Sequence, residues 1–186
     1  MRIIGGDAKG RTIYVPNRGR VRPTSDGIKE SLFNILHAVA GKSFVDLFAG
    51  SGNVGLEALS RGAAKVVFVE KNAVMVSTIK RNLVDLSFSG DYEIMAVEVS
   101  KGIRKLKNRG EIIDFLFADP PYERSFVRKV FHSLSGGNVL GENGVLIIQH
   151  SIREDAEGLY AGDFILTDRR RYGDTLLSFF KIREKE

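Results

Sequence analysis

Five short apolar runs separated by amphipathic helical stretches constrain this chain more than any other feature. The runs are Phe44–Phe48, Lys65–Glu70, Tyr92–Val97, Ile112–Ala118 and Val145–Gln149, and the helical stretches lie near 53–61, 73–87, 101–108 and 124–135. Strands that are apolar throughout are buried on both faces, and strands that alternate with helices pair in parallel. The pattern predicts an α/β fold with a mostly parallel sheet covered by helices on both faces. The end of the chain breaks the alternation. Phe164–Arg170 and Thr175–Ile182 are separated by a turn at Tyr172-Gly173-Asp174 with no room for a crossover helix. That spacing predicts a hairpin adding an antiparallel strand pair to the sheet edge.

Upstream of the alternation, Ile28, Leu32, Ile35, Leu36 and Val39 recur at helical spacing, with an N-cap at Thr24-Ser25 and a stop at Gly41. Residues 1–22 read as two β segments, Arg2–Ile4 and Arg11–Val15, joined by Gly5-Gly6-Asp7 and followed by the loop Pro16–Pro23. With 43% hydrophobic and 27% charged residues, the 186-residue chain can bury a core of one ordinary domain. We expect a basic hairpin arm, 1–22, on a domain spanning 23–186.

The absence of cysteine excludes disulfides, Cys-ligated metal and Cys nucleophiles. His37, His132 and His150 lack metal-ligand spacing, so no metal is expected. No apolar run approaches the roughly 20 residues of a membrane span, and the start lacks the apolar core of a signal peptide. A soluble, cytoplasmic monomer is expected.

The first strand runs into Asp46-Leu47-Phe48-Ala49-Gly50-Ser51-Gly52-Asn53-Val54-Gly55, a G-x-G-x-x-G sequence ahead of a helix. Glycine permits a sharp turn and close backbone approach to a ligand, and the helix N-terminus offers free N–H groups. Glu70, 20 residues after Gly50, ends the second strand where a ribose diol would lie. NAD(P), FAD and S-adenosylmethionine all fit such a loop, and a ligand-free turn is the bland alternative. Asp46 favours S-adenosylmethionine, because a carboxylate repels a pyrophosphate but suits an ammonium and a sulfonium. Asp46 can also cap its own loop. Glu98 and Val99, after the third strand, suit an adenine amino group and ring.

Asp119-Pro120-Pro121-Tyr122 follows the fourth strand, at the carboxyl end where parallel sheets bind ligands. Two prolines fix an extended backbone without N–H donors, so the segment presents acceptors only: the Asp119 carboxylate and the Pro120 carbonyl. Such acceptors hold both hydrogens of an exocyclic amino group, and Tyr122 offers a stacking face. The bland alternative is a tight turn.

MRIIGGDAKGR at the start, RPTSDGIKESLFNIL (22–36), DLFAGSGNVGLEALSRGA (46–63), FVEKN (68–72), ADPPY (118–122) and YGDTLLSF (172–179) resemble the bacterial methyltransferases that modify a guanine amino group (N2) in 16S ribosomal RNA. The resemblance implies a seven-stranded class I (Rossmann-like) methyltransferase fold, S-adenosylmethionine as donor and N2-methylguanine as product. It places Asp46, Phe48, Gly50 and Gly52 at the methionine end, Glu70 on the ribose and Glu98 and Val99 at the adenine, with Ala49, Ser51, Lys71 and Asn72 also among the cofactor-binding residues. Asp119, Pro120, Pro121 and Tyr122 would hold the target base, with Asp119 also beside the donor. Arg22, Pro23 and Thr24 match the family's N-terminal motif; Gly27 and Glu98 depart from its usual basic residue and Asp.

Net charge is +5, and residues 1–22 alone carry that excess through Arg2, Lys9, Arg11, Arg18, Arg20 and Arg22 against Asp7. We expect these six to contact RNA phosphates, with Arg169-Arg170-Arg171 as a second candidate that also suits protection of a sheet edge. The partner implied is 16S rRNA, naked or in an assembling small subunit. Rival assignments are another amino group (adenine N6 in DNA, a protein glutamine), an NAD(P)-dependent oxidoreductase, and a non-enzymatic RNA-binding scaffold.

Overall fold

The computed structural model describes residues 1–16, 25–121, 126–136, 139–154 and 163–183. The chain divides into two units, Met1–Val97 and Glu98–Glu186. The first contains α1 (Asp26–Leu36), β1 (Ser43–Leu47), α2 (Asn53–Ser60), β2 (Lys65–Val69), α3 (Ala73–Asp85) and β3 (Asp91–Met95). Its strands are parallel in the order β3-β2-β1, with Val45 opposite Val67 and Val67 opposite Glu93. Phe44, Val45 and Leu47 of β1 and Val66 to Val69 of β2 are all buried, as strands covered on both faces must be.

Two boundaries differ from the periodicity. Helix α1 stops at Leu36, well before Gly41, because His37 turns to φ 54° and Ala38 N–H folds back onto the Leu36 carbonyl. Val39 is buried but lies outside the helix. Strand β3 ends at Met95, where Val97 N–H bonds the Met95 carbonyl, so Glu98 caps the next helix and does not extend the strand.

Residues 1–16 pair as expected but contain one bridge, Arg2 to Thr12, in place of two strands. The ribbon is bound through buried polar groups. Asp7 N–H donates to the Ser60 carbonyl at 2.8 Å, Ala8 N–H donates to Ser60 Oγ at 3.0 Å, and Ser60 Oγ donates to the Gly5 carbonyl at 2.6 Å. Ile3, Ala8 and Ile13 are buried.

Beneath the ribbon lies a charge cluster that composition does not reveal. Lys29 Nζ sits 3.2 Å from Glu57 Oε2, both side chains fully buried, and donates to the Arg2 carbonyl (2.7 Å) and Asn53 Oδ1 (2.8 Å). Glu57 also accepts from Ile4 N–H at 2.9 Å and from Arg61 Nε at 2.8 Å. Burial holds the Lys29 ammonium below its ordinary range, opposed by the attraction of Glu57.

The second unit contains α4 (Val99–Asn108), β4 (Ile113–Ala118), α5 (Phe126–Leu134), β5 (Leu140–Ser151), β6 (Phe164–Tyr172) and β7 (Thr175–Ile182). Strand β4 pairs in parallel with β5, and β7 lies antiparallel between β5 and β6, giving the order β4-β5-β7-β6. The expected terminal hairpin is present, turning through Gly173 at φ 60°. Strand β5 is longer than its apolar run. It begins at Leu140, and the β4–β5 register jumps from Ile113–Leu140 to Phe115–Val145. Gly144 permits this bulge, since a Cβ there would lie 2.9 Å from Gly141 N and O and from the Ile113 carbonyl. Phe131 of α5 packs edge-on against Phe164 and Phe180, at 5.6 and 5.1 Å between centroids.

Two substitutions test these contacts. At Gly6, φ is +72° and a Cβ would lie 1.7 Å from the Ser60 carbonyl, whereas Gly10, at φ +86°, has nothing within 4 Å. Gly6→Ala should lose at least about 2 kcal/mol in urea unfolding and Gly10→Ala about 1 kcal/mol; equal losses would refute the docked ribbon. Lys29→Ala removes the fully buried cation of Glu57, leaving it Arg61 and the Ile4 N–H, and should cost about 3–5 kcal/mol, measured the same way.

Candidate active site

The loop after β1 turns through three left-handed residues: Phe48 at φ 63°, Gly50 at φ 55° and Gly52 at φ 86°. Ala49 N–H bonds the Val69 carbonyl of β2, and Gly52 N–H bonds the Ala49 carbonyl. Gly52 caps α2 without a side-chain bond, a role taken instead by Asp46, whose Oδ2 accepts from Gly55 N–H at 2.9 Å. Asp46 is therefore the cap of its own loop, a 2% exposed carboxylate beside a helix N-terminus. Gly55 has a separate duty, because a Cβ there would lie 2.3 Å from the Phe68 ring. At Gly50 the nearest atom to such a Cβ among the described residues is the Phe48 carbonyl oxygen at 4.0 Å, so none of them closes the outer side of the loop.

Glu70 closes the loop from β2. Its Oε2 accepts from Gly50 N–H at 2.9 Å and its Oε1 from Asn72 N–H at 2.8 Å. A carboxylate has about four acceptor positions, so these two bonds leave capacity for a diol. Asn72 caps α3 through Val74 and Met75 N–H, and Lys71 is exposed. Ser51 and Ala49 are buried.

Spacing and composition do not single out Asn82 of α3. Buried, it donates to the Ser51 carbonyl at 3.0 Å and exchanges two 2.9 Å bonds with the backbone of Tyr14. It ties the glycine loop to the N-terminal ribbon. Its only signal was an amide among the apolar positions of a helix.

In the second unit, Glu98 and Val99 begin α4, exposed and half-buried. Asp119 and Pro120 follow β4 directly, half-buried and buried, and Pro121 is exposed. Tyr122 lies outside the described residues.

The basic set divides. Arg2 is exposed, its Nε 3.5 Å from Asp26, and Lys9 is exposed. Arg11 is committed to the end of α3, donating to the Leu86 carbonyl at 2.7 Å and to the Asp85 carbonyl. Arg18, Arg20, Arg22, Pro23 and Thr24 lie outside the described residues. On β6, Arg170 pairs with Asp168 at 3.0 Å and Arg171 donates to the Gly173 carbonyl at 2.9 Å. Among the described residues no group of three or more His, Asp or Glu side chains could hold a metal ion, and no helix is long and apolar enough to cross a membrane. A shallow cavity of about 410 Å³ between α3 and β3, lined by Lys80, Leu83, Val84, Tyr92 and Ile94, involves none of these residues.

A family model described as conserved hypothetical protein 95 matches residues 1–181. YlbH of Bacillus subtilis (strain 168), an rRNA methyltransferase by name, is 32% identical over 98% of this chain and 100% of its own. Ribosomal RNA small subunit methyltransferase D of Escherichia coli (strain K12) is 32% identical over 82% of this chain and 75% of its own. Among solved structures, yhhF from Escherichia coli, a methyltransferase by name, matches 100% of this chain with 99% of its own at a TM-score of 0.85; at 24% identity this likeness speaks for the fold. The seven strands and five helices of the described residues, in this order, make an α/β class I methyltransferase fold. The chain belongs to the conserved hypothetical protein 95 family, and relatives that match most of its length are named rRNA methyltransferases.

Proposed function

We propose that this protein methylates the exocyclic amino group (N2) of a guanine in 16S rRNA, with S-adenosylmethionine as donor. The observation that carries the proposal is an acceptor-only segment, Asp119-Pro120-Pro121, at the carboxyl end of β4 in a chain whose relatives are named rRNA methyltransferases. The donor fits the residues present. No described residue closes the outer side of Gly50, Glu70 has acceptor capacity for a ribose diol, and Asp46 supplies negative charge beside the loop. When bound, S-adenosylmethionine supplies an activated methyl group, so the protein's task is alignment.

An aromatic amino nitrogen is a poor nucleophile because its lone pair is delocalised into the ring. The Asp119 carboxylate and the Pro120 carbonyl hold its two hydrogens, which directs the lone pair out of the hydrogen-bonded plane toward the methyl carbon. Fixing that geometry contributes much of the rate. As the N–C bond forms, the donor's S–CH3 bond would break to leave a neutral thioether, and the amino group gives up one proton to Asp119 or to water. Tyr122 stacks on the base, which must first leave its helix or lie in a single-stranded loop. Exposed Arg2 and Lys9 contact phosphates, together with Arg18, Arg20 and Arg22.

Incubation with methyl-labelled donor and 16S rRNA, free or in small subunits, should place label on guanine; label found only in duplex DNA would overturn the assignment. Asp119→Ala should lower turnover about 10²- to 10⁴-fold while leaving RNA affinity within about twofold. Replacing Arg2 and Lys9 together by Ala should flatten the slope of log K against log salt by about 1.5, two phosphate contacts at roughly 0.7–0.9 each, with donor binding unchanged. An unaltered slope would place the phosphate contacts elsewhere.

A further inference from the structure

Gln149 is 4% exposed in β5, and its Oε1 is buried without a hydrogen-bond partner among the described residues. The next residue shows the contrast. His150 is 1% exposed, with Nε2 2.9 Å from Ser178 Oγ and Nδ1 3.1 Å from the Ser151 carbonyl. A carbonyl only accepts, so Nδ1 carries the proton and Nε2 accepts from the Ser178 hydroxyl. Burial also keeps the ring neutral, lowering its pKa from 6.5. His150 is thus satisfied within the strand pair. Gln149 is not: its register partner on β7 is Leu177, fully buried and without a polar side-chain atom.

A buried amide carbonyl without a partner costs about 1–3 kcal/mol of desolvation. Its place in the sheet gives a reason to retain it. On the β4 side, Ala118 is the register partner of Ile148, so Asp119 and Gln149 each stand one residue beyond that pair. Matched positions on neighbouring strands lie about 4.8 Å apart, and their side chains leave the same face. An acceptor with no partner among the described residues therefore stands one position past the last paired residues of β4 and β5, as the acceptor-only segment does.

We propose that Gln149 is a base-recognition residue whose Oε1 accepts the N1–H of the target guanine. The proposal rests on the function proposed above and adds the source of base choice. On the Watson–Crick edge of guanine, N1–H is the donor next to the N2 amino group that Asp119 and Pro120 hold. Adenine carries a lone pair at N1, which would face Oε1 repulsively. Two acceptor groups in a row thus select guanine, and a site built to receive a substrate N–H strongly rejects a base lacking it.

The experiment compares the wild type with Gln149→Met and Gln149→Glu on 16S rRNA, free and in small subunits, by kcat/KM, nucleoside analysis of the label, donor affinity and thermal midpoint. Gln149→Met removes the acceptor at similar volume and should lower kcat/KM roughly 10- to 100-fold with donor affinity unchanged. Its midpoint should equal or exceed that of the wild type, because an unsatisfied polar atom has been removed. Gln149→Glu keeps an acceptor and should recover most of the rate. A Gln149→Met protein with wild-type kcat/KM, or one that melts lower or fails to fold, overturns the proposal, since either result makes Oε1 dispensable or structurally bonded. A wild-type enzyme that labels adenine and not guanine instead overturns the function proposed above, and the N1–H contact with it.

Discussion

Glu57 is a carboxylate with no exposure to water, and the first unit is organised around making that tolerable. A buried charge is stable only if paired and hydrogen-bonded, and Glu57 has three donors: Lys29 from α1, Arg61 from the end of α2 and Ile4 N–H from the ribbon. Removing either cation weakens that compensation, and breaking a buried pair costs more than the pair gains by existing. The cluster thus acts less as a source of stability than as a condition of register. Helix α1, the ribbon and α2 must arrive in one relative position, and α2 is the helix whose N-terminus closes the glycine loop.

The loop is held by the same means. Asp46 bonds Gly55 N–H from below and Glu70 bonds Gly50 N–H from the side, so two acids fix the backbone of the turn that is proposed to receive the donor. Under the proposed function, the structural and functional roles of Asp46 coincide. A carboxylate that rigidifies the loop also sets the sign of charge a ligand there must carry, and a cation is favoured over a pyrophosphate.

What the sequence made legible was whatever covalent spacing controls. The alternation of strands and helices, the glycine loop, Glu70 at a fixed distance from it and the terminal hairpin all depend on near neighbours. Residues whose meaning comes from distant partners were not legible. Nothing local marks Lys29 and Glu57 as partners or Asn82 as a tie; their roles appear only when the fold brings α1 to α2 and Asn82 to Tyr14 and Ser51. Arg11 read as a phosphate contact, and the structure shows it bonding the last carbonyls of α3. Gln149 closed an apolar run and drew no notice, because nothing local distinguishes a bonded amide from an unbonded one. Helix α1 ended early for a similar reason: the turn at His37 has no Gly or Pro to announce it.

Strand β7 lies between β5 and β6 although it follows both in the chain. The hydrogen-bond partners of β5 on that side are therefore supplied only when residues 175–182 have emerged from the ribosome. Until then the edge of β5 is open, and β6 has no strand to join. A translation product cut short before Thr175 would lack the central member of an antiparallel trio and not merely its border. Such a fragment would leave the edge of β5 unpaired and free to template association with other chains.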